Sequence, residues 1–240
     1  MNQAKIIDRH KEAGNELVFS YLTLRNLIGI GGMLLPFVIA IFPSRPSKYY
    51  GFEFSISDYY YTDRGDFLVV LLCIIGAFLI TYKGYSRLEM ALTTLAGICG
   101  IGVAFVPTGK ACAECLYSVH NSDGGVFKAL KGSWWHLAFA GTFFLCLAIM
   151  CLVYFTKGDD QGPDKKQKRR RNKAFYACGW IIIGCLALLV AYFLIRPKTG
   201  SWPVVYILET IGVEAFGFSW LVKGQTLWKD KKNTDGLTVH

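Results

Sequence analysis

Four ionisable side chains stand inside or at the rim of apolar runs: Asp66, His136, Glu209 and Glu214. A charge in such a run is costly, so each is a candidate for function, the alternative being a structural hydrogen bond or a charge near headgroups. Directly before Asp66 lies a second unusual stretch. Residues 49–66 contain five tyrosines and four acids in 18 positions, among them Ser55, Ser57, Asp58, Tyr59, Tyr60 and Asp63. That density of hydroxyls and carboxylates exceeds what helix capping needs, although Thr62 or Asp63 fits as an N-cap for the helix that follows. A histidine with hydroxyls and carboxylates supports general acid–base chemistry, cation binding or metal ligation, and residue types alone do not separate these. Counting about 1.5 Å per residue, Asp66, His136 and Glu209 fall within roughly 8 Å of one membrane boundary, and Glu214 near mid-bilayer. Glu209 and Glu214 differ by five residues, about 140° around a helix, so they do not share one narrow face. A contact of about 3 Å between Ser57 or Ser55 and His136 is the geometry a nucleophile–base pair requires.

The elements that must position these groups are apolar and helix-length. They run over Leu22–Phe42, Phe67–Tyr82, Leu88–Val106, Trp134–Phe155, Ala174–Ile195 and Val204–Val222. About 20 apolar residues span the hydrocarbon core, so each run can cross once. The chain is 53% hydrophobic, and its mean hydropathy is +0.35. A membrane β-barrel needs alternating segments of about 10 residues, which these runs are not. The predicted fold is an all-α, polytopic membrane protein with a six-helix transmembrane bundle over 22–222. A cytoplasmic amphipathic segment over 1–21 and a cytoplasmic tail over 223–240 flank it. Ile6, Ile7, His10, Ala13, Leu17 and Val18 supply the helical spacing of the first of these.

Net charge is +9, and its distribution argues for topology rather than nucleic acid. The segment before the first run (with Arg25), those between runs two and three and between runs four and five, and the one after run six hold 18 of the 26 basic residues. Lys and Arg mark the cytoplasmic side, so both termini are expected there. The densest cluster, Lys165–Lys173, directly precedes run five and also suits an anionic lipid surface. Trp134, Trp135 and Trp202 at one set of ends, and Tyr82, Tyr85, Tyr154 and Trp220 at the other, read as aromatic belts. Gly29, Gly31 and Gly32, and the set Ala96, Gly97, Gly100 and Gly102, read as close helix-packing surfaces.

Six cysteines sit inside runs as small apolar fillers. Cys112 and Cys115 sit in an outer loop, where a disulfide is the expected state. A redox role would need a second pair on the same face. A zinc site would need further ligands, for which His120 and Glu114 are the candidates. No metal is assigned, and the sequence names no cofactor.

The layout resembles the FRAG/DRAM/Sfk membrane proteins and uncharacterised bacterial six-helix families. The matching positions are Ser55-Ile56-Ser57-Asp58 after the first outer loop, an acid opening run two, His136-Leu137-Ala138-Phe139-Ala140 opening run four, and an acid in run six. The resemblance implies six helices and a role in lipid remodelling or membrane regulation, with Ser57, Asp58 and His136 as matching positions. The Cys112/Cys115 loop and the tyrosine run depart from that pattern. A fainter likeness to ceramidase-like membrane hydrolases lacks their zinc-binding histidines, since only four histidines occur and His10 and His240 lie at the ends.

The first expectation is an outward-facing polar pocket binding a lipid headgroup or small polar ligand, with a regulatory or transport role. Asp66, Glu209, Glu214, Tyr59, Tyr60 and Asp63 are its candidate ligand-binding residues. The second is a lipid-modifying hydrolase or acyltransferase using His136, Asp58 and Ser57. The third is an ion or proton pathway through Glu214. Membrane lipids are the expected partners, nucleic acid is not, and a plasma or bacterial inner membrane is the expected location.

Overall fold

The computed structural model describes residues 23, 25–41, 52–62, 64–84, 86–106, 108, 133–157, 165–195, 203–224 and 227–228. Six helices form the frame: α1 (Arg25–Ala40), α2 (Gly65–Thr81), α3 (Arg87–Phe105), α4 (Ser133–Ile149), α5 (Lys165–Ile195) and α6 (Val204–Lys223). A short 3-10 helix, Ser57–Tyr61, precedes α2. Consecutive helices from α2 to α6 pack as neighbours. The bundle therefore runs up and down, and two polar ends face away from each other. The ends of α1, α3 and α5 and the starts of α2, α4 and α6 form one of them.

Four helices, in α3, α4, α5 and α6, are long and apolar enough to cross a membrane, while α1 and α2 are shorter apolar helices. Their outward faces are apolar as well. Leu34, Val70, Ile98, Leu137, Leu188 and Ile211 are all exposed. An exposed apolar surface on every helix suits lipid as solvent, so the chain is a membrane protein.

Lipid is as apolar as leucine, so close packing rather than water exclusion must hold such helices together. Glycine supplies it. A methyl group on Gly29 would lie 2.9 Å from the Gly217 carbonyl oxygen, and one on Gly217 would lie 2.7 Å from that of Gly29, which brings α1 against α6. Gly76 and Gly97 do the same for α2 and α3. Gly100 and Gly102 receive the Phe143 and Phe139 rings of α4.

Three local features differ from expectation. The run Lys165–Lys173 is the start of α5, not a loop. Lys, Arg and Gln are good helix formers, and the apolar run behind them supplies a formed helix to extend. Helix α4 does not end as α-helix but loosens into a π-turn at Met150–Tyr154, with Phe155 N–H donating to the Met150 carbonyl at 2.8 Å. The extra residue turns Phe155 inward, where its ring meets those of Phe175 and Trp220. The N-cap of α2 is Arg64, not Thr62. The Thr62 hydroxyl instead donates to the Tyr59 carbonyl and accepts the Arg64 N–H, closing the 3-10 helix. Asp63 lies outside the described residues, as do 1–22, Cys112, Cys115 and most of the tail. The six described cysteines are all free.

Candidate functional site

The 3-10 helix sits over the end of the bundle where α3 finishes and α4 and α6 begin. Three residues per turn place Ile56 and Tyr59 on one side. Both join a buried apolar cluster with Leu35, Ile39, Leu68, Leu72, Ala104 and Tyr206. That anchorage leaves Ser57 and Asp58 to meet polar groups. Helix α6 holds the segment before them: Tyr206 N–H donates to the Phe54 carbonyl at 3.0 Å, and Glu209 Oε2 accepts the Ile56 N–H at 2.7 Å. The Tyr206 hydroxyl reaches on to the Pro36 carbonyl of α1 at 2.6 Å.

His136, one turn into α4, stands at the centre. Its Nδ1 lies 2.6 Å from the Val106 carbonyl oxygen, and its Nε2 lies 2.9 Å from Ser57 Oγ. A carbonyl oxygen can only accept, so Nδ1 carries the proton. In the neutral ring Nε2 is then a lone-pair acceptor, and the Ser57 hydroxyl donates to it. Asp58 is set beside them: its Oδ1 accepts from the Thr108 hydroxyl at 2.9 Å, and its N–H donates to Ser55 Oγ at 3.0 Å. Its carboxylate lies close enough to act on both His136 and Glu209 through space. The Tyr61 hydroxyl donates to the Thr108 carbonyl and ties the 3-10 helix to the end of α3. Ser55, Ser57, Asp58 and His136 each expose no more than 9% of their surface.

Chemically, this is a hydroxyl hydrogen-bonded to the basic nitrogen of an imidazole whose other nitrogen is fixed by a third group. That is the arrangement by which a serine is activated as a nucleophile. The orienting group here is a main-chain carbonyl rather than a carboxylate.

The structure brings Ser57, Asp58, His136, Glu209 and Tyr59 together. Tyr59 is buried among the apolar cluster, and its hydroxyl oxygen accepts the Glu53 N–H at 3.4 Å. Tyr60 is half-buried with its ring edge-on to Tyr61. Burial pushes the phenols of Tyr59, Tyr60 and Tyr61 above their ordinary range. Asp66 is exposed on the first turn of α2 and takes no part in the network among the described residues. Glu214 lies farther along α6. Its Oε1 is buried without a hydrogen-bond partner among the described residues. No group of three or more metal-ligating side chains occurs among the described residues. Val106 and Thr108 were not foreseeable as members. One contributes only its backbone, and the other is a single threonine in a loop.

No curated protein and no solved structure matches this chain. The likeness to FRAG/DRAM/Sfk proteins rests on the short motifs alone. A family model does match residues 29–222, which takes in α2 to α5, most of α1 and α6, and both sides of the Ser57–His136 contact. The chain therefore belongs to the family described as "Protein of unknown function (DUF998)".

Proposed function

We propose that this protein is a membrane-embedded hydrolase or acyltransferase acting on a lipid acyl ester, with Ser57 as nucleophile and His136 as general base. The observation that carries the reading is the 2.9 Å contact between Ser57 Oγ and His136 Nε2, with Nδ1 held by Val106. Ester linkages of membrane lipids lie where headgroups meet hydrocarbon, which is the depth expected for a residue one turn into a membrane helix. Ser57 Oγ attacks the acyl carbonyl carbon, and its proton passes to Nε2. The bond to the lipid alcohol breaks, and that alcohol oxygen takes the proton back. Water, or a second alcohol, then attacks the acyl-serine and loses its proton to Nε2; the acyl–Oγ bond breaks, the acid or new ester leaves, and Ser57 Oγ takes the proton back from Nε2. Asp58, next to Ser57 in the chain, supplies a negative charge that favours the imidazolium formed in each half-reaction.

In the same reading all six helices cross the membrane, both termini are cytoplasmic, and the site faces outward. The basic-residue asymmetry supports this orientation.

The test is release of a labelled fatty acid from phospholipid by the purified protein in liposomes. Ser57→Ala and His136→Ala should each lower turnover by roughly 100-fold or more. The double variant should be no worse than either, since the two act as a unit. Full turnover by a folded Ser57→Ala protein would rule the reading out.

A second reading, a proton or cation site in α6, is favoured by one observation. Glu214 lies in the sixth helix with its Oε1 buried and lacking a hydrogen-bond partner among the described residues. Proton flux into liposomes that Glu214→Gln abolishes would support it, and flux unchanged by that variant would refute it.

A further inference from the structure

Helix α5 is longer than a membrane crossing requires. It runs unbroken for 31 residues. Its apolar part, 174–195, measures about 33 Å and fills the hydrocarbon core. The nine residues before it must therefore stand outside the core. The headgroup layer on each side is roughly 5–8 Å deep, so positions from about Arg169 to Lys173 lie at the depth of lipid phosphates.

The two faces of this extension differ. One is fastened to the protein: Arg171 Nη1 donates to the Trp228 carbonyl at 2.9 Å, and Asn172 Nδ2 donates to the Thr156 carbonyl at 3.4 Å. Phe175 is buried behind them. The other face exposes Lys166, Arg169, Arg170 and Lys173. Spacings of three, four and seven residues make these one stripe.

Electrostatics give that stripe a preferred occupant. By the alternation of apolar runs in the sequence, the segments assigned to this side hold 18 of the 26 bases and nine of the 17 acids, which accounts for the whole net charge of +9. Positions 165–173 hold seven cations and no acid at a helix start, where the macrodipole is already positive. Both repulsions are relieved by an anion at phosphate depth. Arginine matches phosphate with a two-pronged set of donors.

We infer that the Lys166/Arg169/Arg170/Lys173 face of α5 binds the headgroups of anionic phospholipids at the end of the bundle opposite Ser57. The inference does not depend on the hydrolase reading. The headgroups belong to lipids of the leaflet from which α5 emerges, so they need no separate delivery.

The full chain is reconstituted in nanodiscs of phosphatidylcholine with a minor share of phosphatidylglycerol, and the lipids retained on extraction are counted by native mass spectrometry. The wild type should retain phosphatidylglycerol above its bulk share. The triple variant Arg169→Gln/Arg170→Gln/Lys173→Gln should lose that enrichment by at least about fivefold, the effect of a single basic residue near a charged surface. Raising sodium chloride from about 0.05 to 0.5 M should strip the wild-type enrichment, a readout that needs no variant. Inorganic phosphate should do no more than chloride at equal ionic strength. Unchanged enrichment in the variant, enrichment that persists in high salt, or selective displacement by inorganic phosphate would each overturn the inference.

Discussion

The carbonyl of Val106 decides which nitrogen of His136 is basic, and hence what Ser57 can become. Neither role was fully legible beforehand. His136 and Ser57 stood out by type, a histidine in an apolar run and a serine in an acid-rich segment. A main-chain carbonyl has no residue signature at all. Glu209 was conspicuous as a carboxylate in a membrane helix, yet its partner is the backbone N–H of Ile56. That bond fixes the residue just before Ser57, which yields a distinct expectation. Glu209→Ala leaves that amide without its acceptor and should destabilise the protein by about 1–3 kcal/mol. Glu209→Gln keeps a carbonyl acceptor and should cost less. Thermal unfolding of both variants checks the order. The tyrosines offer a pH test. Burial raises the phenol pKa of Tyr59, Tyr60 and Tyr61. Their neutral forms are therefore favoured by folding, and the stability so gained is complete below about pH 10 and lost as pH rises through the folded values. Tyrosinate absorbance should accordingly appear at higher pH in the folded protein than in the denatured one.

At the scale of elements, the glycines separate packing from mere tolerance. Gly217 meets backbone of α1, which cannot swing aside, whereas a methyl on Gly184 of α5 meets nothing within 4 Å. Gly217→Val should force α1 and α6 apart and lower the melting temperature markedly. Gly184→Ala should be neutral or stabilising by up to about 1 kcal/mol, the difference in helix propensity. Helix positions were readable because apolar length is a strong signal. The true start of α5 was not, because a dense charge run resembles a loop even when its residues favour helix. The π-turn of α4 was also invisible, since one extra residue per turn leaves the apolar run unbroken. At Glu89 a local rule was present in the sequence. Ser86-x-x-Glu89 opens α3, and the Ser86 hydroxyl accepts the Glu89 N–H at 3.2 Å. The buried Glu89 carboxylate then reaches the Tyr82 hydroxyl, which Arg25 also approaches at 3.1 Å.

For the whole molecule, the up-and-down path places Ser57 and His136 at one end and the basic face of α5 at the other. If all six helices cross, cysteine introduced at Ser122 should react with an impermeant reagent in intact cells, and cysteine at Gly162 should not. Reaction at Gly162 would invert the proposed orientation. The central claim concerns one hydroxyl. The folded protein, treated with a long-chain alkyl fluorophosphonate and digested for mass spectrometry, should carry one phosphonyl adduct on Ser57, and the His136→Ala protein should carry none. An unlabelled Ser57 in the folded wild type, or labelling equal in the His136→Ala variant, would contradict the account.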